Sequence, residues 1–270
     1  MVFSLYILIA KILLMVTKIE GILISKMAYQ DRHIIGKILL RNGQVLNCLF
    51  YGGKGGGRYK KGTVLELGNM LQIELQVSGR GNNSGLHRAK EWKRMWSHLK
   101  IRGEYRAFYL MCLYFELILK LSPEASLNGD YDLHNEEHEG LFRILSNALV
   151  YLDNNIPGKD IDTINQFGVF LGKILIVLGI YPRIDNCVLS GISLDQVESM
   201  ILMPEHGGMA DKMSVNDGKN IDCTLLRKFL KMVWVTPYKN IENNLIISKN
   251  HVDELFLFFC YQFQFERRFF

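Results

Sequence analysis

From Lys18 to Val77 the chain returns again and again to short apolar blocks separated by turn chemistry, and this spacing constrains the fold more than any other feature. Residues 18–27 and 34–52 alternate or run apolar in short stretches. The step Arg41-Asn42-Gly43-Gln44 between two such stretches is a hairpin signal, because Asn-Gly supplies positive φ readily. A second strand pair fits Thr63–Leu67 and Met70–Val77, joined at Gly68-Asn69. About five strands in so short a segment, interrupted by the glycine-rich stretch 52–62, fit a small and strongly curved barrel.

After Ser84 the pattern is read as helical. Leu86–Lys100 is rich in tryptophan and basic residues, and Glu104–Leu121 is apolar almost all round, as suits a helix in the middle of a bundle, with Pro123 ending it. An acidic connector (128–139) precedes Leu141, Leu145, Ala148 and Leu152, which recur on one helical face. Asn165–Leu178 is a further apolar helix in which Gly168 and Gly172 permit close approach of a neighbour. Residues 183–223 are rich in Gly, Asp and Ser and read as loops, and helices are expected at Thr224–Val233 and Lys249–Phe265. The fold class is therefore α+β, a barrel followed by a helical domain. The divisions fall at 15–84 for the barrel, 85–182 for the helical domain, and 183–270 for a loop region with the last helices.

Charge is distributed unevenly along this plan. Met15 to Arg106 holds 17 Lys+Arg against 6 Asp+Glu, whereas Ala107 to Phe270 holds 14 against 21. A basic front half points to a polyanionic partner. Gly52 to Gly62 contains Lys54, Arg58, Lys60 and Lys61 among glycines that let a backbone approach a phosphate. No Gly-Lys-Ser/Thr ends it and no helix pattern follows, so it is not a nucleotide P-loop. Arg32, Lys37, Arg41, Arg80, Arg88, Lys90, Lys93 and Arg94 extend the basic track. Tyr51, Tyr59, Trp92 and Trp96 are candidates for stacking on unpaired bases, Tyr59 foremost, while either tryptophan equally suits a core position.

Other chemistry is weaker. His134-Asn135-Glu136-Glu137-His138 matches an H-x-x-E-H metallopeptidase pattern, but it sits in an acidic connector where carboxylates favour a helix start, and a capping turn is the better reading. The five cysteines, at 48, 112, 187, 223 and 260, are too scattered for a disulfide framework or a complete metal site, which fits a reducing cytosol. No nucleophile–base set announces itself, and no enzymatic activity or cofactor is expected. Met1 to Leu14 is apolar but interrupted by Lys11 and followed by Lys18 and Glu20, short of the ~20 residues a bilayer span needs. It is read as an upstream extension before a start at Met15, the alternatives being a short helix packed on the domain or a membrane anchor.

The stretch from Ile22 to Arg58, with its strand, its Tyr-Gln-Asp-Arg turn, its strand pair and its basic loop, resembles the start of the bacterial RecO recombination mediators. The stretch Phe167 to Gly191 is similar to a later motif of that family, in Phe167, Leu171, Leu175, Gly179, Pro182, Cys187 and Gly191. The resemblance implies an N-terminal OB-fold, a central helical domain, and a zinc-finger-like C-terminal region. It also implies binding of single- and double-stranded DNA, annealing of complementary strands, and loading of RecA together with RecR. The tail of single-stranded-DNA-binding protein is the other implied partner, received by cations such as Arg143 and Lys173, and a cytoplasmic, nucleoid-associated location follows. Where many members carry two C-x-x-C pairs, this chain has Cys187 and Ser190, then Ala210 and Met213. One thiolate does not hold a tetrahedral zinc, so a metal-free region is expected. The competing classes are an RNA-binding OB-fold protein and a metal-dependent hydrolase built on His134 and His138.

Overall fold

The computed structural model describes residues 16–54, 61–76, 85–125, 139–156, 162–215, 221–241 and 245–266. The expectations placed on Met1–Leu14, on Arg58, Tyr59, Lys60 and Arg80, and on His134 and His138 lie outside these residues, as does the side chain of Lys61. The chain divides into two compact units, Met1–Asn154 and Asn155–Phe270.

The first unit is built on β1 (Val16–Tyr29), β2 (His33–Leu40), β3 (Val45–Phe50), β4 (Met70–Gln76) and β5 (Leu86–Trp96). They form a closed barrel in the order β1-β2-β3-β5-β4, with β4 pairing back onto β1. All pairs are antiparallel except β3–β5, which run parallel from Asn47↔Leu86 to Phe50↔Ala89. This is an OB-like arrangement. Period-two alternation sends Leu23, Ile38, Leu46, Cys48, Phe50, Leu71, Ile73 and Leu75 into one shared core. β1 serves two partners because it bends, with a register shift between Leu23 and Ser25. At the bend only glycine fits: a Cβ on Gly21 would lie 2.5 Å from the Leu39 carbonyl oxygen.

The β2–β3 hairpin turns where expected. Gly43 has φ 81°, and Leu40 and Gln44 close the turn by a 2.8 Å backbone bond. Two expectations are corrected. Leu86–Trp96, read as the start of a helical domain at residue 85, is instead the strand that completes the barrel. Thr63–Leu67 is not a strand: Lys61–Val64 forms a 3-10 turn, after which Leu65 plugs the barrel core and Lys26 donates to the Leu65 carbonyl and pairs with Glu66 at 2.9 Å.

Two helices complete the unit, α1 (Tyr105–Leu121) and α2 (Glu139–Asn155). Glu104 caps α1 through a bond from the Ala107 N–H, and the chain leaves it at Ser122-Pro123 to pair alongside Val45. Asp153 of α2 accepts from the Lys100 and Ile101 N–H groups. His98, 3% exposed, lies beside this junction with its ring 3.8 Å from that of Trp96 and neither nitrogen hydrogen-bonded. Burial lowers it to about 4, against a weaker opposing pull from Asp153. An unfolded histidine protonates near 6.5, so the unfolded state binds a proton the folded one refuses as pH falls from about 6.5 to about 4. Stability is expected to decline through that window by ~2–3 kcal/mol from this group alone. Urea unfolding of wild type and His98→Phe across pH 4–7 checks it, the variant showing the shallower decline.

The second unit contains α3 (Thr163–Val177), a β-hairpin of β6 (Met200–Met203) and β7 (Gly208–Asp211), α4 (Thr224–Val235) and α5 (Lys249–Gln262). Asp162 caps α3 by accepting from Asn165 N–H. The two glycines of α3 do bring neighbours close: a Cβ on Gly168 would meet Ile247 at 3.0 Å, and one on Gly172 would meet Val233 at 2.9 Å. The described part of the stretch expected as loops (183–215 and 221–223) is irregular apart from the hairpin and 3-10 turns. No helix among the described residues is long and apolar enough to cross a membrane.

Candidate nucleic-acid interface

Cross-strand register decides which of the basic residues are available. Lys18 pairs with Glu74 at 3.2 Å, Lys26 with Glu66, and Arg41 with Glu20 at 2.8 Å. The last bond, opposed by burial and helped by Gln72 and Lys93, holds the Glu20 carboxyl below its usual range. Arg102 reaches Glu66, the Leu67 carbonyl and Asn69. Those cations are spent on the fold. By contrast Arg32, Lys37, Lys54, Arg88, Lys90, Lys93 and Arg94 form no ion pair with an acid among the described residues.

Four of the seven gather on the β2–β3–β5 side of the barrel. Lys37 on β2 stands in the row Ser25–Lys37–Asn47–Leu86, and the row two residues along is Met27–Ile35–Leu49–Arg88. At the rim beyond, two loops are stapled together. The Lys54 N–H donates to the Arg32 carbonyl at 3.1 Å, and Lys54 Nζ donates to the Gln30 carbonyl at 3.0 Å. Gly52, at φ 69°, donates its N–H to His33 Nδ1 at 3.0 Å. Over this staple lies Tyr51, 42% exposed, with the His33 ring edge-on at 4.6 Å and the Arg88 guanidinium 4.0 Å from its ring centroid. A guanidinium on a tyrosine face makes a flat, cationic surface on which a base can stack. The glycine-rich loop leaves the described residues at Lys54, from this same rim.

Not every sequence candidate belongs here. Trp92 is 9% exposed and sits in the barrel core edge-on to Phe50, so it is no stacking residue. Lys90, Lys93 and Arg94 are exposed farther along β5, and Trp96 is exposed at its end. Of the two partner-binding candidates, Arg143 is exposed on α2 beside a hollow of about 230 Å³ lined by Arg41, Glu139, Phe142, Ser146 and Asn147. Lys173 does not fit its expected role: its ammonium donates to the Val233 and Thr236 carbonyls at the C-terminus of α4, and burial lowers its pKa. The sequence reading passed over Gln30 and His33, although a histidine flanking an Asp-Arg turn was a usable signal.

The second unit has a cavity of about 750 Å³ bordered by Tyr181, Arg183, Cys187, Lys231 and Trp234, which the sequence did not announce. Tyr181 Oη donates to the Leu230 carbonyl at 2.7 Å, and Lys231 pairs with Asp195 at 3.3 Å. Burial acts to raise the Cys187 thiol, yet hydrogen bonds from Ser190, Asp211 and Leu189 outweigh it and bring it down to about 7. Ala210 is buried and Met213 is 89% exposed, so neither offers a ligand next to Cys187. Among the described residues no group of three or more His, Cys, Asp or Glu side chains could hold a metal ion. No protein-family model matches the chain, and none of the curated proteins compared with it is similar to it.

Proposed function

We propose that this chain binds single-stranded DNA on the β2–β3–β5 side of its barrel and acts without catalysis of its own, as a mediator in DNA repair. One observation carries the binding: Arg32, Lys37, Lys54 and Arg88 have no acidic partner among the described residues, Arg88 lies over the exposed Tyr51 ring, and Lys54 is stapled to the Gln30–Arg32 turn at the same rim. OB-folds take oligonucleotides on the face of their second and third strands and on adjoining loops. The resemblance to RecO extends the proposal to annealing of complementary strands and to RecA loading with RecR. It equally extends to a zinc-finger-like region around Cys187, metal-free because Ser190, Ala210 and Met213 stand where many members carry cysteines, and to a cytoplasmic, nucleoid-associated site of action. The tail of single-stranded-DNA-binding protein is the proposed protein ligand, with Arg143 as its described cationic contact.

Four phosphate contacts on a single strand give log K a slope of about −3 against log salt, so raising salt from 50 to 200 mM is expected to weaken binding ~50-fold. Fluorescence anisotropy of a labelled oligothymidylate reads this out, and a change of less than about threefold would sink the charge argument. Competition by RNA of equal length separates the DNA reading from an RNA-binding one, and the rate of annealing of complementary oligonucleotides tests the mediator role.

A further inference from the structure

The side chain that ties the two rim loops together is His33. It opens β2, where Ile34 turns inward against the barrel core, so strand alternation places His33 on the outer face. Register then fixes its neighbour. Ile34 pairs with Phe50, which sets Tyr51 beside His33, and the two rings meet edge-on with centroids 4.6 Å apart. One residue on, Gly52 takes φ 69° and its N–H donates to His33 Nδ1 at 3.0 Å. The loop's other ties run from Gly53 to the Phe50 carbonyl and from Lys54 to the carbonyls of Arg32 and of Gln30, itself at φ 49°. Those acceptors are backbone groups that any sequence supplies; among these ties the His33 ring nitrogen is the side-chain acceptor. A backbone N–H donates only to an unprotonated ring nitrogen, so Nδ1 is bare and the ring proton sits on Nε2. Asp31, the acid of the turn, is exposed and among the described residues pairs with none of Arg32, Lys54 and Arg88.

We propose that His33 is a positioning residue for the bound strand: by accepting from Gly52 it clasps the 51–54 loop to the 29–33 turn, and so holds the Tyr51 ring against Arg88 before any ligand arrives. The inference rests on the nucleic-acid reading above and adds what keeps that face in its binding arrangement. The β2–β3 ladder ends at Ile34↔Phe50 and the β3–β5 ladder at Phe50↔Ala89, each one residue short of Tyr51. Beyond those last rungs no strand pairing carries Tyr51, whose ring is 42% exposed, so the loop's own hydrogen bonds set its place. A face fixed in advance binds more tightly than one that is ordered at each encounter, because the free energy of ordering is subtracted from affinity.

The test separates the acceptor from the ring. His33→Asn keeps an acceptor near the place of Nδ1 and removes the ring, whereas His33→Phe keeps a ring beside Tyr51 and removes the acceptor. The position is half-buried at the rim, and thermal unfolding checks that both variants keep the fold. Hydrogen exchange of the Gly52 amide, followed by NMR, reads the clasp without any ligand. It is expected to be slow in wild type and His33→Asn and about fivefold faster in His33→Phe, the equilibrium worth of one hydrogen bond. Affinity for a labelled oligothymidylate is expected to follow the same order, about fivefold weaker in His33→Phe and within about twofold of wild type in His33→Asn. In a Tyr51→Ala background His33→Phe is expected to change affinity by less than about twofold, because the residue acts through the ring it positions. Wild-type affinity in His33→Phe, or an equal loss in both variants, overturns the positioning role of the acceptor. Unchanged Gly52 exchange in His33→Phe overturns the clasp itself and leaves the DNA reading standing. Failure of wild type to bind the oligonucleotide overturns the proposed function, and the positioning role with it, whatever Gly52 shows.

Discussion

Replacing Tyr51, Lys54 and Arg88 together by alanine is expected to lower affinity for single-stranded DNA by ~100-fold or more, with little change in the unfolding midpoint. The magnitude has two sources. A stacked base is worth about 1–3 kcal/mol, and each lost cation forgoes the counterion release of one phosphate. Since a factor of ten corresponds to about 1.4 kcal/mol, one stack and two phosphate contacts reach two orders of magnitude. The stability side follows from exposure: all three side chains reach solvent, and the interactions removed among the described residues are surface ones, Lys54 to the Gln30 carbonyl, Arg88 to Gln76 at 3.5 Å, and the contacts of Tyr51 with Arg88 and His33. Loss confined to Tyr51→Phe would contradict a stacking role, because phenylalanine keeps the ring. Anisotropy at fixed salt decides, and a triple variant within threefold of wild type would place the site elsewhere on the barrel.

The second large effect concerns the core beneath that face. Phe50→Ala is expected to destabilise the protein by ~3–5 kcal/mol, the usual cost of emptying a buried aromatic site. Phe50 is fully buried, lies edge-on to Trp92 with centroids 5.2 Å apart, and is close enough to β2 that a Cβ on Gly36 would stand 3.0 Å from its ring. Its backbone also pairs with Ile34 on one side and with Ala89 on the other. Phe50→Leu keeps most of the volume and is expected to cost less than half as much. Urea denaturation followed by tryptophan fluorescence measures both, and a loss below about 1 kcal/mol for the alanine variant would mean that the barrel is not closed around this side chain.

How much of this could be read beforehand depends on whether the deciding interaction is local. The β2–β3 turn was legible because Asn42-Gly43 states its own geometry, and the α3 glycines were legible because their spacing fits one helix face. Strand β5 was not. It is bulged where it faces Glu74–Leu75 and again at Met70–Leu71, so its inward residues Ala89 and Trp92 are three apart and the period of two disappears. Thr63–Leu67 failed in the opposite way: it alternates like a strand, yet Leu65 is taken up as a plug and Asn69 bonds the Val64 carbonyl, leaving no ladder partner. At the candidate site the cations were visible in the sequence, but their availability was not. Whether a lysine meets a glutamate, as Lys18 meets Glu74, or none, as Lys37 does, depends on register between segments dozens of residues apart.

The parallel seam between β3 and β5 has a consequence for synthesis. Its first rung joins Asn47 to Leu86, 39 residues away, and no turn can template it. Contacts this distant in sequence form slowly, since loop closure must precede any reward. Arg88 reaches Tyr51 only when that seam zips, so a nascent chain holds a charged but shapeless half-site until the eleven residues of β5 have left the ribosome. The proposed binding face is thus completed in one step, when β5 docks, rather than accumulated along the chain.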